Sequence, residues 1–467
     1  MKLKSSAAVN REVDMSEGPI LKKLIVFALP LMATNVLQVL FNAADVSILG
    51  IFIKDVSRAN AAVAAVGATS SLINLLVSLM VGLSVGANVV LSRCVGTKDA
   101  EKAARTVGTS VALSLLSGVA VLLVGFFFSR QFLIWMNCDP EVIDMATLYL
   151  KIYFLGMPVI MLYNFVSSIL RAVGNTMKCF IYLVIGGVLN IGLNIFSVAV
   201  LDKDVEGVAL ATVISQAVAA ILSFIALLKS KGYSRLYFKK IRFYKKELKD
   251  IVLVGLPAGI HGCVFAISNI FVQSAVNVYG KIHMAGYAIS VQIDTIFYQA
   301  LNGIAVASLT FVSQNLGAQK TDRIKKTVLN ASLLVVVLGA VLGAVMGCFG
   351  REICSLLSKD AEVIEIGYRR LLIVGVPYLL CGLMEVMSNT MRGLSRSFSA
   401  MMISIFGNCV VRIVWLQTVY RLVPVYDTIL WVFPVSWGIT LFIYYIYYGK
   451  TIRKLEKKIK TEKEPQV

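Results

Sequence analysis

Long apolar blocks alternate with short polar stretches along the whole chain. In the first, from Leu24 to Phe52, nearly every side chain is apolar, yet Asn35, Gln38, Asn42 and Asp45 fall inside it. Crossing the hydrocarbon core of a bilayer takes about 20 apolar residues in a helix. Twelve blocks reach that length: 24–52, 61–91, 106–128, 145–170, 178–201, 206–228, 251–279, 284–313, 327–349, 366–390, 397–420 and 427–448. They predict an all-α integral membrane protein of twelve transmembrane helices, six in 24–228 and six in 251–448, joined by a basic linker over 229–250. Residues 1–23 are expected to form a cytoplasmic N-terminal segment and 449–467 a disordered cytoplasmic tail. The first block is too long for the apolar part of a cleavable leader and is expected to be retained as a span. In the linker, Lys239, Lys240, Lys245 and Lys246 are interleaved with Tyr and Phe, the pattern of a helix lying on anionic headgroups.

The two halves repeat each other. "FALPLM" (27–32) answers "VGLPAG" (254–259), with Asn42 and Asn269 at the same offset. "GLSVGANVVLSRCVGTKDAEKAARTV" (82–107) answers "GIAVASLTFVSQNLGAQKTDRIKKTV" (303–328) without a gap, and "NFVSSILRAVGNT" (164–176) answers "EVMSNTMRGLSRS" (385–397). An even number of spans in each half gives both the same orientation. They are predicted to be parallel repeats about an axis along the membrane normal, an arrangement found in secondary transporters.

Composition agrees with a membrane protein. Of 467 residues 58% are hydrophobic and 15% charged, where a soluble domain carries about 25% charged residues. The net charge of +19 would suggest nucleic acid in a soluble chain. Here the basic residues gather in alternate loops, from Lys22, Lys23, Arg93, Lys98, Arg171 and Lys178 to Lys320, Arg323, Arg392 and Arg396. The intervening loops, such as "NCDPEVID" (137–144) and "LDKDVE" (201–206), are short and mixed or acidic. The positive-inside rule therefore places both termini in the cytoplasm of a multi-pass protein of the cell (inner or plasma) membrane, and excludes a nucleic-acid partner. The eight cysteines are scattered and show no C-x-x-C pair, so neither a disulfide framework nor a metal site is expected. With two histidines a zinc enzyme site is not expected either. No G-x-x-x-x-G-K-[ST], G-x-S-x-G or H-E-x-x-H motif occurs, so work would draw on an ion gradient or on the substrate's own gradient, with no cofactor.

Polar residues inside the spans then stand out. Asn35, Gln38, Asn42 and Asp45 are 3, 4 and 3 apart, one stripe on one helical face. A charge in hydrocarbon costs at least about 2.5 kcal/mol, so the stripe is expected to face the bundle interior or water. Burial raises a carboxylate's proton affinity toward the range where it can load and release a proton. Asn190 and Asn194 lie at a similar depth on the fifth span, and Thr212 and Gln216 enter the sixth from outside; together they could form one polar pocket. The bland alternative is hydrogen-bonded helix packing. In the second half His261, Asp294, Glu385 and Arg412 are the buried ionisable candidates. Asp294 and Tyr298 are one turn apart, Arg412 could neutralise Asp294, and Glu385 is the repeat counterpart of Asn164.

"LPLMATNVLQVLFNAADVSILG", "GLSVGANVVLSRCVGTKDAEKA" and "SSILRAVGNTM", with the second-half copies "SQNLGAQKTDRIKK" and "MEVMSNTMRGLSRS", resemble the multidrug and toxic compound extrusion (MATE) family over essentially the whole chain. The likeness is closest to the prokaryotic DNA-damage-inducible branch. It implies two six-helix lobes in a V, acting as a single chain that exports small amphipathic organic cations from the cytosol in exchange for protons or sodium. It also puts the coupling carboxylate at Asp45, with Asn190, Asn194 and Thr212 in its polar network. Gln38, Asn42, Asn164, Asp294, Tyr298 and Glu385 are the candidates for contact with substrate, and membrane lipids are the surrounding partner. Many members of the branch carry a second Asp on the fifth span where this chain has Asn194, which favours the proton over a sodium cage. Two other readings stay open: a lipid-linked oligosaccharide flippase of the same superfamily, and an integral-membrane lipid-modifying enzyme.

Overall fold

A computed structural model describes residues 14–463 of the chain. Residues 1–13, with Lys2, Lys4 and Arg11 of the expected N-terminal segment, and 464–467 of the expected tail lie outside the described residues. The helices are α1 (Ile20–Phe52), α2 (Val56–Gly96), α3 (Ala100–Trp135), α4 (Ile143–Leu155), α5 (Met157–Ala172), α6 (Thr176–Ile195), α7 (Val205–Leu228), α8 (Lys245–Asn277), α9 (Lys281–Gly317), α10 (Thr321–Ser355), α11 (Ala361–Arg370), α12 (Tyr378–Gly393), α13 (Ser397–Ser404), α14 (Val411–Gln417), α15 (Val419–Leu422) and α16 (Tyr426–Lys463).

Among the described residues ten helical segments are long and apolar enough to cross a membrane, and twelve do so when α4–α5 and α11–α12 are each counted as one bent span. The bends are 50° and 46°. Each has a local cause: Pro158 follows Met157 at the start of α5, and Pro377 caps α12. Proline has no N–H and its ring clashes with the preceding turn, so a helix breaks there. Three stretches widen into π-turns, at Phe196–Val200, Leu371–Gly375 and Ile405–Val410.

The chain forms two compact units, and their limits fall inside helices. One unit runs from Val36 to Gly259; the other joins Met15–Asn35 to the chain from Ile260 onward. In the first, α2 and α8 meet through Gly82 and Gly86 on one helix and Gly255 and Gly259 on the other. A Cβ on Gly82 would strike the Gly259 backbone, and one on Gly86 the Ile251 carbonyl. Small residues four apart let two backbones touch, and in lipid that van der Waals contact drives helix association.

In the second unit, the first half of α1 buries Leu24, Phe27, Ala28 and Leu31 in a core with Leu301, Ile304 and Phe311. Phe27 and Phe311 meet edge to face at 5.8 Å. A strap ahead of α1 is fixed to the same unit. The Met15 N–H donates to Gln314 Oε1 at 3.0 Å, Lys320 Nζ donates to the Ser16 carbonyl at 2.9 Å, and Arg323 donates to the carbonyls of Met15, Glu17 and Gly18 at 3.0–3.1 Å.

Two expectations are corrected. The linker is not one helix: up to Tyr244 it holds a single 3₁₀ turn at Phe238–Lys240, and its last six residues, Lys245 to Asp250, are the start of α8. Its backbone is taken up elsewhere, because Thr109 Oγ1 of α3 donates to the Arg242 carbonyl at 3.3 Å and Leu236 N–H donates to the Leu227 carbonyl at 3.2 Å. Leu236 is buried among Leu91, Val107 and Val111, and Gly108 leaves room for the Lys240 carbonyl. The tail is not disordered up to Lys463: α16 continues through it. Ile452 and Ile459 are buried along one face, and Lys325 pairs with Glu456 at 2.5 Å.

Candidate functional site

The second half of α1 carries Asp45 into the first unit, where α6 and α7 meet it. The i, i+4 pair on α6 turns Asn190 and Asn194 to one face, and Asp45 is 9% exposed, Asn194 not at all. Asn194 Nδ2 donates to Asp45 Oδ1 at 2.5 Å and lies 3.3 Å from Asn190 Oδ1. Asn190 Nδ2 donates to Thr212 Oγ1 at 3.3 Å. The Thr212 hydroxyl has two acceptors, the Val208 carbonyl at 3.0 Å and Asp45 Oδ2 at 3.5 Å. It has one proton and can satisfy one of them at a time. Asn194 Oδ1 is buried and lacks a hydrogen-bond partner.

A pocket of about 40 Å³ opens over this network, lined by Gln38, Phe41, Asn42 and Asp45 of α1, Gly186, Gly187 and Asn190 of α6, and Thr212 and Gln216 of α7, among others. That is room for a few waters or one small ion. Asn42 and Gln38 are exposed and stand one and two turns from Asp45, respectively, and Asp45 is the ionisable side chain among the lining residues. Asn35 leaves the stripe: it belongs to the second unit, and its amide donates to the Gln299 carbonyl at 3.3 Å.

The remaining candidates are elsewhere. Asn164 is held by its own helix, its amide donating to the Ile160 carbonyl at 2.9 Å. In the second unit Asp294 pairs with Arg370, not Arg412. Arg370 Nη1 is 2.5 Å from Asp294 Oδ2 and 3.3 Å from Ser290 Oγ, and both charged side chains are almost fully buried. Arg370 also lies over the Tyr287 ring at 4.5 Å. Arg412, wholly buried, donates to Asn269 Oδ1 at 2.8 Å and Ser436 Oγ at 3.2 Å and sits 4.7 Å above the Phe433 ring. Tyr298, one turn from Asp294, stacks on the Phe265 ring at 6.5 Å, and Glu385 is buried in the same unit. Asn389 lies between Glu385 and Arg392, and Arg392 donates to His261 Nδ1 at 2.6 Å.

Arg370 and Arg392 are buried charges that the sequence reading missed. Arg392 stands just past the 366–390 block and Arg370 in its first turns, where an arginine reads as a headgroup contact. The signal available was the Ser290/Asp294 spacing of one turn, which asks for a cation facing it.

Two lobes of spanning helices, a repeated sequence and a buried carboxylate in a polar pocket define a multi-pass membrane transporter rather than an enzyme. The MatE family pattern matches residues 30–196 and 257–416, and the chain belongs to that family. It is 28% identical over 446 residues to the probable multidrug resistance protein YoeA of Bacillus subtilis, covering 93% of this chain and 94% of that one. It is 24% identical to the multidrug export protein MepA of Staphylococcus aureus over 79% of this chain and 82% of MepA. Among solved structures, MATE in the bent conformation superposes with a TM-score of 0.89 at 20% identity, over 96% of this chain and 99% of that one. The outward-facing conformation of a multidrug resistance MATE family transporter of the MOP superfamily does so with the same TM-score at 21% identity and the same coverage. These likenesses establish the fold.

Proposed function

We propose that this protein is a secondary active antiporter of the cell membrane that exports amphipathic organic cations in exchange for protons, acting as a single chain with both termini in the cytoplasm. The observation that carries the reading is Asp45, a carboxylate buried in the first unit against the amides and hydroxyl of Asn190, Asn194 and Thr212. MepA, named as a multidrug export protein, is similar in sequence to this chain over 79% of its length, which supports the direction of transport.

The hydrogen bonds suit an exchange of one proton. With Asp45 ionised, Asn194 donates to Oδ1 and Thr212 can donate to Oδ2. A proton arriving on Asp45 makes it a donor. Asn194 can then turn its unused carbonyl oxygen toward it, and Thr212 is free to keep the Val208 carbonyl. The two protonation states thus select different side-chain arrangements on α1, α6 and α7, and linkage requires those arrangements to differ in proton affinity. Gln38 and Asn42, on the same face of α1, and Tyr298 and Glu385, in the second unit, are the polar groups assigned to substrate. Asn164 and Asp294 are assigned to structure. Sodium as the coupling ion is a second reading, and the spare buried oxygen of Asn194 beside Asp45 supports it.

Proteoliposomes loaded with a fluorescent organic cation test this reading. An imposed proton gradient should drive uptake or release, and drug addition should move protons. Asp45→Asn keeps the shape of the neutral acid and should fold, bind drug and lose gradient-driven transport to the level of empty liposomes. Wild-type coupling in that variant would remove Asp45 from the mechanism. A response to a sodium gradient alone would select the second reading.

A further inference from the structure

The 229–250 linker is more than a connection between α7 and α8. It holds nine Lys and Arg residues against Glu247 and Asp250. Glu247 is buried, and Asp250 lies 3.9 Å from Lys102. Neither acid neutralises the outer surface. The fold then separates the linker's apolar side chains into two sets. Leu236 goes into the core of the first unit. Tyr237, Phe238 and Phe243 stay outside, Phe238 at 66% exposure.

Arg235, Lys239, Arg242, Lys245 and Lys246 are exposed between them. Arg235 lies over the Tyr237 ring at 5.0 Å and Arg242 over Tyr244 at 4.7 Å. The backbone is pinned by Thr109 and by the gap at Gly108, so this face is presented as a fixed surface. It starts beyond Leu228, the last residue of one spanning helix, and runs into the first turn of the next, which begins at Lys245. A segment so placed lies at the level of the headgroups.

We propose that this face is a docking surface for anionic phospholipid, with the cations on the phosphates and Phe238 and Phe243 entering the boundary of the acyl region. Fixed rings beside fixed cations fit a surface with apolar and negative layers stacked in depth. A free polyanion supplies only the second of these. The surface is independent of Asp45 and would hold for any substrate the transporter carries.

The test uses the purified full chain in detergent and measures retained phosphatidylglycerol against phosphatidylcholine by native mass spectrometry. Arg235→Gln/Lys239→Gln/Lys245→Gln/Lys246→Gln should lower the preference for phosphatidylglycerol by at least tenfold, since each basic residue near an anionic surface contributes roughly fivefold. Phe238→Ser/Phe243→Ser should weaken retention of both lipids while leaving the preference in place. Removing as many charges from α16, as Lys450→Gln/Arg453→Gln/Lys454→Gln/Lys457→Gln, should leave the preference near wild type. All substituted linker residues are exposed, and an unchanged thermal midpoint would show that the fold is kept. Wild-type lipid preference in the linker variant, an equal loss in the α16 variant, or displacement of the lipid by an RNA oligonucleotide would each overturn the proposal.

Discussion

Asp294 and Arg370 provide a direct measure of what a buried ion pair does in the second unit. The pair is 2.5 Å apart and both side chains are about 5% exposed or less. Asp294→Leu leaves Arg370 with Ser290 Oγ at 3.3 Å and the Tyr287 ring at 4.5 Å, a cation with no counter-ion. Stranding one member of a buried pair costs about 3–5 kcal/mol, and the remaining ring contact returns about 2 kcal/mol at most. The single variant should therefore lose between about 1 and 5 kcal/mol of stability. Arg370→Met should lose about 3–5 kcal/mol, because Asp294 Oδ1 already lacks a partner and Oδ2 would lose its cation. Asp294→Leu/Arg370→Met replaces both charges with apolar groups of similar volume and should come within about 1 kcal/mol of wild type. Thermal or SDS unfolding of the full chain measures all four corners of the cycle, and cation export by the double variant measures function. A double variant no more stable than the sum of its single changes would refute the pairing as the main role of these residues. A stable double variant that no longer exports would return Asp294 to the substrate path.

Asn194→Asp gives the pocket a second carboxylate beside Asp45. Export should become sensitive to sodium, because carboxylate oxygens bind hard cations better than an amide oxygen does; transport rates over a sodium titration check it. Gly187→Ala places a methyl group into the Phe41 ring, which lines the same pocket. It should cost about 1–3 kcal/mol by overpacking and slow export. Gly186→Ala meets its nearest neighbours at 3.2–3.3 Å and should be milder on both counts. Thermal midpoints and export rates of the two variants, measured side by side, decide this.

The spans were legible because lipid leaves backbone groups no partner outside a helix, so length and hydropathy alone mark them. The grouping of Asp45 with Asn190, Asn194 and Thr212 was legible as well, from helical spacing and equal depth. Direction around a helix axis was harder to read. Hydropathy gives a residue's depth, while its partner depends on which neighbouring helix it faces. That is why Asp294 was matched to Arg412, at a suitable depth, when Arg370 holds it. The same blindness covers Asn35, which continues the stripe in sequence while packing in the other unit. The linker misled for another reason. Its charge and aromatic spacing fit an amphipathic helix, but Thr109 and Gly108, more than 120 positions earlier in the chain, capture its backbone. In the tail, buried Ile452 and Ile459 keep a strongly basic segment helical that composition alone marks as solvated.

The strap and the first half of α1 also set the order in which this protein can be completed. Met15 meets Gln314 across 299 positions of sequence. At about 5–20 residues per second, the ribosome needs roughly 15–60 s to make the chain between them. For that interval the partners of Leu24, Phe27 and Leu31 do not yet exist, while the partners of Phe41 and Asp45 emerge much earlier. A single helix is therefore finished at its far end before its near end has anything to pack against. A chaperone or insertase that shields the leading turns of α1 would act during that wait, and a stalled chain shorter than Gln314 would leave Met15 open to protease.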